Sequence, residues 1–431
     1  MSRARDNANL SPTIPDARMP NLTGDITTVE GAVATTIAND AVTGAKIENN
    51  PTIAGNLTVS GDLVPSTPLS HRNMIINGGM TVWQRGTAST ALSNSNTYVP
   101  DRFNCRAGVG SGHTAIRSTD VPTTGEASFT DSLKFTVGTG GTVSSTTGNN
   151  YFYYAMEGYD SNPTKIGTAY AKIMTISFWV KASVTGAYGF AVTNDANDFT
   201  YAATYTVSSA DTWEKKTITI PVSGTGGTAF NTTNGRAITL IWNWGAGSNF
   251  TASGAGWTAA DDRGGVNSGS PSSIQLVDGT HNGATWFITG VQLELGSNAT
   301  PFEHRSYGDE LARCQRYFWA PLEKAHTNRS YVGIGLYLSS SKLAMWLHCP
   351  VDMRSVPTLD MHTGTDRWSC YRHGSADYFD QFSMITNTAA PHGKRTLLFE
   401  RTSNVGSNAG GEAGAVSGNN TACYFYLSSE L

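Results

Sequence analysis

The chain has 431 residues, with 29 lysines and arginines against 33 aspartates and glutamates, which gives a formal net charge of −4. No basic excess is available to neutralise phosphates, so the composition argues against a nucleic-acid-binding protein. Charged residues make up only 14% of the chain, and its 46 glycines exceed the roughly 30 expected from average usage. This composition excludes a helical bundle and favours β-structure with many turns.

The sequence carries no signal for export, membrane insertion or metal binding by cysteines. Residues 1–20 have no apolar core of about 7–15 residues, so we do not expect a secretory signal. No run of about 18 apolar residues occurs, so we expect no membrane insertion. The five cysteines are odd in number and form no C-x-x-C pair, which predicts small buried thiols instead of disulfides or a zinc site.

The N-terminal segment, residues 1–70, contains no aromatic residue and no cysteine, so it could hardly build a core alone. Short apolar steps run through it, and apolar residues alternate with polar ones from Thr52 to Leu63. Several copies of such a thin strand can cover one another when they are wound about a shared axis. We therefore predict an attachment segment over residues 1–20 and an oligomeric stalk with its linker over residues 21–70. A disordered tail is the alternative.

Residues 71–305 show the alternation of apolar and polar residues that is typical of strands. The pattern is clear at 175–181, 217–222, 237–244 and 286–295, and long loops of Gly, Ser, Thr and Asn lie between these segments. Many strands joined by such loops suit a β-sandwich such as a jelly roll. The fold class predicted for the chain is therefore all-β.

A single helix is predicted over residues 306–318, where Ser306 can cap the first turn together with Asp309 three residues later. Residues 319–431 alternate again and are predicted to form a distal β-domain, taken as a second sandwich. The helix carries an apolar stripe at helical spacing, made of Leu311, Cys314 and Phe318.

Aromatic residues near planar polar residues offer the chemistry of sugar binding. Aromatic rings stack on the C–H faces of a pyranose, while amide, carboxylate and guanidinium groups hold its hydroxyls. Burial in a core is the alternative for each candidate, and Trp257, in a glycine-rich loop, is the strongest candidate for exposure. The candidates fall into three groups: Trp242, Trp244 and Trp257; Tyr151 and Tyr153; and the distal Trp368, Tyr371 and Tyr378.

Catalytic motifs do not emerge from the sequence. It contains no G-x-S-x-G elbow, no P-loop and no H-E-x-x-H. We therefore predict no catalytic residue, no enzymatic activity and no organic cofactor. A pair of carboxylates across a cleft, as used in glycoside hydrolysis, leaves no sequence signature and stays open as an alternative.

Several sequence blocks resemble bacteriophage tail fibre proteins. Taken in order they touch all three regions of the chain, and this joint order is more specific than any one block. The blocks are 38–47 (ANDAVTGAKI), 72–80 (RNMIINGGM), 83–86 (WQRG), 100–103 (PDRF), 288–296 (ITGVQLELG), 299–303 (ATPFE), 307–318 (YGDELARCQRYF) and 350–354 (PVDMR).

This resemblance implies a homotrimeric fibre of the virion tail. Residues 1–20 would dock on other tail proteins, residues 21–64 would form a trimeric stalk followed by a linker to residue 70, and residues 71–305 would be similar to carbohydrate-binding jelly rolls. The helices with their apolar stripe would gather near the trimer axis, and residues 319–431 would form a tip that touches a host-surface polysaccharide. Jelly-roll sugar-binding modules often hold a structural calcium, and by that analogy Glu294 is a candidate ligand.

The predicted function is host adsorption through glycan binding. One rival is a purely structural fibre or decoration protein, with its aromatic residues buried between chains. The other rival is a depolymerase that cuts surface polysaccharide.

Overall fold

The computed structural model divides the chain into two compact units, Met1–Pro65 and Ser66–Leu431. In the first unit it describes two short antiparallel strands, β1 (Ile26–Thr28) and β2 (Thr35–Ile37). The predicted attachment segment and most of the predicted stalk and linker lie outside the described residues. In the second unit the described residues are 71–89, 91–124, 128–147, 150–265, 274–324, 330–385, 394–402 and 410–431.

The first part of the large unit is a β-sandwich of two antiparallel sheets. A seven-stranded sheet has the order β13-β10-β9-β12-β7-β4-β3, and a five-stranded sheet has the order β11-β8-β14-β6-β5. The chain crosses repeatedly between the sheets, so the arrangement is jelly-roll-like. The strands are β3 (Thr97–Tyr98), β4 (Phe103–Ala107), β5 (Thr114–Ser118), β6 (Ser132–Thr136), β7 (Asn150–Glu157), β8 (Met174–Ala182), β9 (Gly186–Thr193), β10 (Thr200–Val207), β11 (Glu214–Ile220), β12 (Arg236–Asn243), β13 (Gly256–Thr258) and β14 (Thr285–Leu295).

Aromatic side chains from both sheets fill the space between them. The ring of Trp242 on β12 lies 5.5 Å from that of Phe178 on β8 and 5.4 Å from that of Phe190 on β9, centroid to centroid. Trp244 stacks on Phe135 with 3.7 Å between the ring centroids. All five side chains are completely buried. Burial of such large apolar surfaces is the main force that holds the two sheets together.

The segment that precedes the first strands is tied to the last strand of the sandwich. The Asn73 side chain donates to the Val291 carbonyl at 3.2 Å and accepts from the Leu293 N–H at 3.2 Å. Asn77, with a φ of +61°, donates from its side chain to the Asp101 carbonyl at 3.0 Å. Three of the blocks that resemble tail fibre proteins, 72–80, 100–103 and 288–296, therefore pack on one another and form part of the scaffold.

The predicted helix forms as α2 (Tyr307–Gln315), three residues shorter at its C-terminal end than predicted. Ser306 caps it as predicted, because its hydroxyl accepts from the Asp309 N–H at 3.2 Å. A single turn, α1 (Gly158–Ser161), follows β7 and was not predicted. No helix that the structure describes is long and apolar enough to cross a membrane. Two 3-10 turns lie at Asn162–Thr164 and Ser248–Phe250.

A second β-sandwich follows α2, which completes the all-β architecture and confirms the predicted fold class. Its three-stranded sheet has the order β15-β24-β18 and its seven-stranded sheet the order β20-β19-β23-β16-β17-β22-β21. Phe425 bridges the layers, with its ring centroid 5.8 Å from Trp368 and 5.0 Å from Phe399. The strands are β15 (Phe318–Leu322), β16 (Ser330–Ser339), β17 (Lys342–His348), β18 (Thr358–Met361), β19 (Trp368–Arg372), β20 (Ser375–Phe379), β21 (Ser383–Met384), β22 (Thr396–Arg401), β23 (Ala413–Gly418) and β24 (Phe425–Ser428).

A buried ionic network joins the two sandwiches. Arg102, almost completely enclosed, pairs with Glu430, and its guanidinium carbon lies 3.5 Å from the ring centroid of Tyr317. Glu157 on β7 accepts from Arg316 at 2.6 Å and from the Tyr317 hydroxyl at 2.7 Å. Charges buried in this way need partners, so the network fixes the end of α2 and residue 430 against the central sandwich.

Asp101, buried beside this network, should make the stability of the protein depend on pH. Burial raises the pKa of its carboxyl from 3.8 to about 6, although Arg85 acts in the opposite direction. Between these values the folded state keeps a proton that the unfolded chain releases, so the stabilising contribution is complete below pH 4 and is lost as pH rises through 6. Between pH 4 and pH 6, we expect the free energy of unfolding of the wild type to fall by about 1–3 kcal/mol more than that of Asp101→Asn. Urea unfolding at the two pH values measures this difference.

The control for this experiment is Asp352→Asn, since the Asp352 side chain is 68% exposed. The free energy of unfolding of that variant should change with pH as steeply as that of the wild type. Equal slopes for the wild type and Asp101→Asn would contradict the assignment to Asp101.

Candidate functional site

The outer face of the seven-stranded central sheet, which points away from the sandwich core, carries both aromatic and polar side chains. Alternate residues of a strand point to opposite faces, so Phe152 and Tyr154 enter the core while Tyr151 and Tyr153 lie on the outer face. The two outer rings are 5.6 Å apart at an interplanar angle of 71°. The sequence-predicted pair therefore shares one surface, with 5% of Tyr151 and 4% of Tyr153 exposed.

Strand register places polar residues beside both tyrosines. Tyr153 lies opposite Asn104 on β4, and Tyr151 lies between Arg106 on β4 and Asn243 on β12. Antiparallel neighbours of this kind have side chains on the same face and within contact range. The outer face thus combines aromatic rings with amide and guanidinium groups.

Three buried polar side chains on this face have an atom without a hydrogen-bond partner in the described structure. The unpaired atoms are the amide nitrogen and oxygen of Asn104, the hydroxyl oxygen of Thr239 and the amide nitrogen of Asn243. The three residues are 0%, 4% and 3% exposed. Buried polar groups are nearly always paired, and an unpaired one costs about 1–3 kcal/mol. Of the three, Thr239 lines a cavity, so a polar ligand there could supply its partner.

A cavity of about 170 Å³ opens at this face. Burial raises the pKa of Tyr153 to about 12, so its hydroxyl stays neutral and can donate a hydrogen bond. The described lining includes Tyr151, Tyr153, Thr239, Arg106, Arg236 and Arg263.

The three arginines of this cavity differ in their partners. Arg106 donates from Nε to the side-chain oxygen of Asn94 at 3.1 Å and forms no ion pair with a carboxylate that the structure describes. The other two are held by neighbouring aspartates, in the pairs Arg236–Asp195 and Arg263–Asp261. Arg106 and Arg236 were not predicted as site residues, because they come from separate strands that only the fold brings together.

Trp242 and Trp244 belong to the core, so their prediction as sugar-binding residues is wrong. Both are 0% exposed, and their rings pack against Phe178, Phe190 and Phe135. An indole enclosed on both faces has no free surface on which a sugar could stack.

Trp257 lies in the edge strand β13, within the region predicted as an open loop. Its ring stacks on Phe199 at 5.0 Å and its indole N–H donates to the Pro221 carbonyl at 3.1 Å, which leaves it partly buried. Trp368 is 0% exposed in the distal core and donates to the His362 carbonyl at 2.7 Å. The predicted sugar contact is therefore wrong for Trp368, whereas for Trp257 it stays a prediction.

The distal candidates Tyr371 and Tyr378 lie on the outer face of the distal seven-stranded sheet, 39% and 43% exposed. Register and alternation place two further apolar residues on this face, Ile334 and Trp346, which are 71% and 48% exposed. Neither of these two residues was predicted as a site residue. This apolar distal face is a second surface on which contact with another molecule can occur.

Glu294, the candidate calcium ligand, is buried and already has several hydrogen-bond donors. Its carboxylate accepts from the N–H and the hydroxyl of Thr300, both at 2.8 Å, and from the Gln292 amide at 3.1 Å. In the described part of the chain, no group of three or more His, Cys, Asp or Glu side chains is arranged to hold a metal ion. The calcium site at Glu294 stays a prediction.

Two residues of the helix stripe, Cys314 and Phe318, pack inside the chain, which corrects their prediction as trimer contacts, whereas for the half-buried Leu311 it stays a prediction. Cys314 is 0% exposed and packs with Ile76 in a cluster that Leu311 partly covers. Phe318 is 2% exposed and lies under the Arg85 guanidinium, 3.4 Å from ring centroid to carbon. Cys314 and Phe318 therefore have no surface to offer a second chain.

A larger cavity of about 650 Å³ lies beside α2 and β15. Its described lining includes Trp83, Arg85, Tyr307 and Leu311. Arg85 is already paired with Glu430 at 3.1 Å, so its charge is compensated within the chain. None of the glycan-binding candidates from the sequence lines this cavity.

Solved structures similar to this chain include a tailspike domain and carbohydrate-binding modules. The enzymatically active domain of tailspike protein 4 from bacteriophage CBA120 is 13% identical over 52% of this chain and 21% of that chain, with a TM-score of 0.26. The CBM22-1 xylan-binding domain of Paenibacillus barcinonensis Xyn10C is 14% identical over 50% and 99%, with a TM-score of 0.23. A family 11 carbohydrate-binding module from Clostridium thermocellum is 11% identical over 51% and 99%, with a TM-score of 0.22. No protein-family model and no curated protein sequence matches the chain.

Proposed function

We propose that this protein is a structural component of a phage tail fibre that binds a host-surface glycan at the outer face of its central seven-stranded sheet. The observation that carries the binding part is the cavity in which Tyr151 and Tyr153 lie beside the buried, unpartnered hydroxyl of Thr239. The fibre part rests on the sequence blocks that resemble tail fibre proteins.

The groups around the cavity match the needs of a sugar residue. Tyrosine hydroxyls and guanidinium groups donate hydrogen bonds to sugar oxygens, and the Thr239 hydroxyl can both donate and accept. The tyrosine rings line the cavity with the small part of their surface that is exposed, and this part can contact C–H groups of the sugar. Binding would also give a partner to the buried Thr239 hydroxyl, which favours the bound state.

The fibre we propose is a homotrimer held together through residues 21–70, and residues 1–20 dock it on other tail proteins. A small cavity that takes one sugar residue binds weakly by itself. Three such sites on one fibre would raise the overall affinity by about 10²–10⁴ without a new contact. Weak individual sites are therefore compatible with stable adsorption.

The substitution Thr239→Val tests the binding face, because it removes the unpartnered hydroxyl and keeps the shape of the side chain. We expect it to stabilise the free protein by about 1 kcal/mol and to weaken glycan binding about 5- to 10-fold. Binding of the purified full-length protein would be measured on a panel of neutral and acidic bacterial surface polysaccharides, with reducing ends assayed alongside.

The control is Thr217→Val on the exposed side of β11, which should leave binding unchanged. Saturable binding without new reducing ends supports the proposal, and new reducing ends would favour a depolymerase. Failure to bind any polysaccharide of the panel would favour a purely structural protein. If Thr239→Val binds the glycan as tightly as the wild type does, the binding site does not lie on this face.

A further inference from the structure

The arginines around the outer-face cavity indicate which kind of sugar it takes. We propose that the cavity selects a sugar residue that carries a carboxylate, such as a uronic acid at the end or at a branch of a polysaccharide. This inference rests on the proposed function and names the substrate class of the same site.

Arg106 is the group that would meet the carboxylate. Its described hydrogen bond uses Nε only, toward Asn94, and it forms no ion pair with a described carboxylate. A guanidinium can offer two parallel N–H groups to the two oxygens of one carboxylate, a match that a neutral hydroxyl cannot reproduce. Tyr151 lies opposite Arg106 in the strand register, so the ring of the sugar would have an aromatic neighbour.

The charges around the cavity add to this preference. The three arginines that line the cavity exceed their ion-pair partners, Asp195 and Asp261, by one positive charge, on a chain whose formal net charge is −4. The two aspartates also hold the guanidinium groups of Arg236 and Arg263 in place, so these need not be ordered when a ligand arrives. A local positive charge beside buried polar groups favours an anionic ligand over a neutral one of the same shape.

The size of the cavity sets the length of sugar that it can enclose. Its volume of about 170 Å³ is below the roughly 300 Å³ at which sites for larger ligands begin. One sugar residue fits that limit better than several consecutive residues of a chain. The buried Thr239 hydroxyl lines the cavity and has no hydrogen-bond partner in the described structure. It would then contact the same sugar residue as Arg106 does.

The test compares sugars that differ in a single group. Methyl glucuronoside and methyl galacturonoside each differ from the neutral methyl glucoside or galactoside by a carboxylate in place of a hydroxymethyl group. Dissociation constants for the full-length protein would be measured by NMR titration at low and high salt. We expect at least one acidic glycoside to bind about tenfold more tightly than its neutral partner, with the difference shrinking in high salt.

Substitutions of Arg106 distinguish an effect of its charge on binding from an effect on the fold. Arg106→Gln should abolish the acidic preference, because it weakens binding of the acidic glycoside about tenfold more than binding of its neutral partner, while Arg106→Lys should restore part of the preference through charge alone. Arg395→Gln, at a residue 53% exposed in the distal sandwich, makes the same change in net charge and should behave as the wild type. Equal binding of acidic and neutral glycosides, or a preference that survives Arg106→Gln, would overturn this inference and leave the proposed function standing. No binding of any glycoside or polysaccharide would overturn both.

Discussion

Replacement of Glu430 by alanine is expected to lower the free energy of unfolding by about 3–5 kcal/mol, because it leaves a buried guanidinium without its carboxylate. The partner, Arg102, has 1% of its side chain exposed and Glu430 has 6%. Glu430 also pairs with Arg85 at 3.1 Å, so the substitution removes the anion that two arginines share. Urea denaturation of the full-length protein measures the loss directly.

The matched control is Glu400→Ala in the pair between Lys342 and Glu400, which are 3.0 Å apart. The Lys342 side chain is 37% exposed, so water screens this pair and its loss should cost about 1 kcal/mol or less. If Glu430→Ala and Glu400→Ala lower the free energy of unfolding by similar amounts, the ion pairs of Glu430 are not buried as described.

Trp242→Ala should lower the free energy of unfolding by about 3–5 kcal/mol, since it removes a large buried ring from the core of the sandwich and leaves a cavity. Trp242 is 0% exposed and contacts rings from both sheets. Trp346→Ala, at a side chain 48% exposed on the distal sheet, is the control and should cost about 1 kcal/mol or less. Thermal and urea unfolding would compare the two variants. A loss in Trp242→Ala no larger than that of the control would contradict the placement of Trp242 in the core.

The same tryptophan shows what alternation in a sequence can predict. The pattern of β12 correctly groups Ile238, Leu240 and Trp242 on one face of the strand. It does not tell which face of the sheet the second sheet will cover. That depends on how strands far apart in sequence pair, so the face with the tryptophans was interpreted as a binding surface when it is the core.

The candidate site was predictable only in part, for a related reason. Tyr151 and Tyr153 are two residues apart, so strand alternation places them on one face. Arg106 and Arg263 reach the same cavity from separate segments of the chain, through long-range register and loop packing. The position of Thr239 on this face could have been predicted from the sequence. It lies between two core residues of β12 and must therefore point to the opposite face.

The helix gives a third case. Its cap and its apolar stripe follow from local spacing, and the structure forms the helix with Ser306 as its cap. Spacing alone does not name the partner of the stripe. In the structure Cys314 packs on Ile76, in a block that lies more than two hundred residues earlier in the chain.

The central claim is that a glycan binds at the outer face of the central seven-stranded sheet. The most direct measurement is a crystal structure of the full-length protein with an oligosaccharide from the polysaccharide that binds best. The account predicts sugar density in the cavity beside Tyr151 and Arg106, with the Thr239 hydroxyl hydrogen-bonded to it. Density on the distal face beside Trp346 and Tyr371, with the central cavity empty, would contradict it.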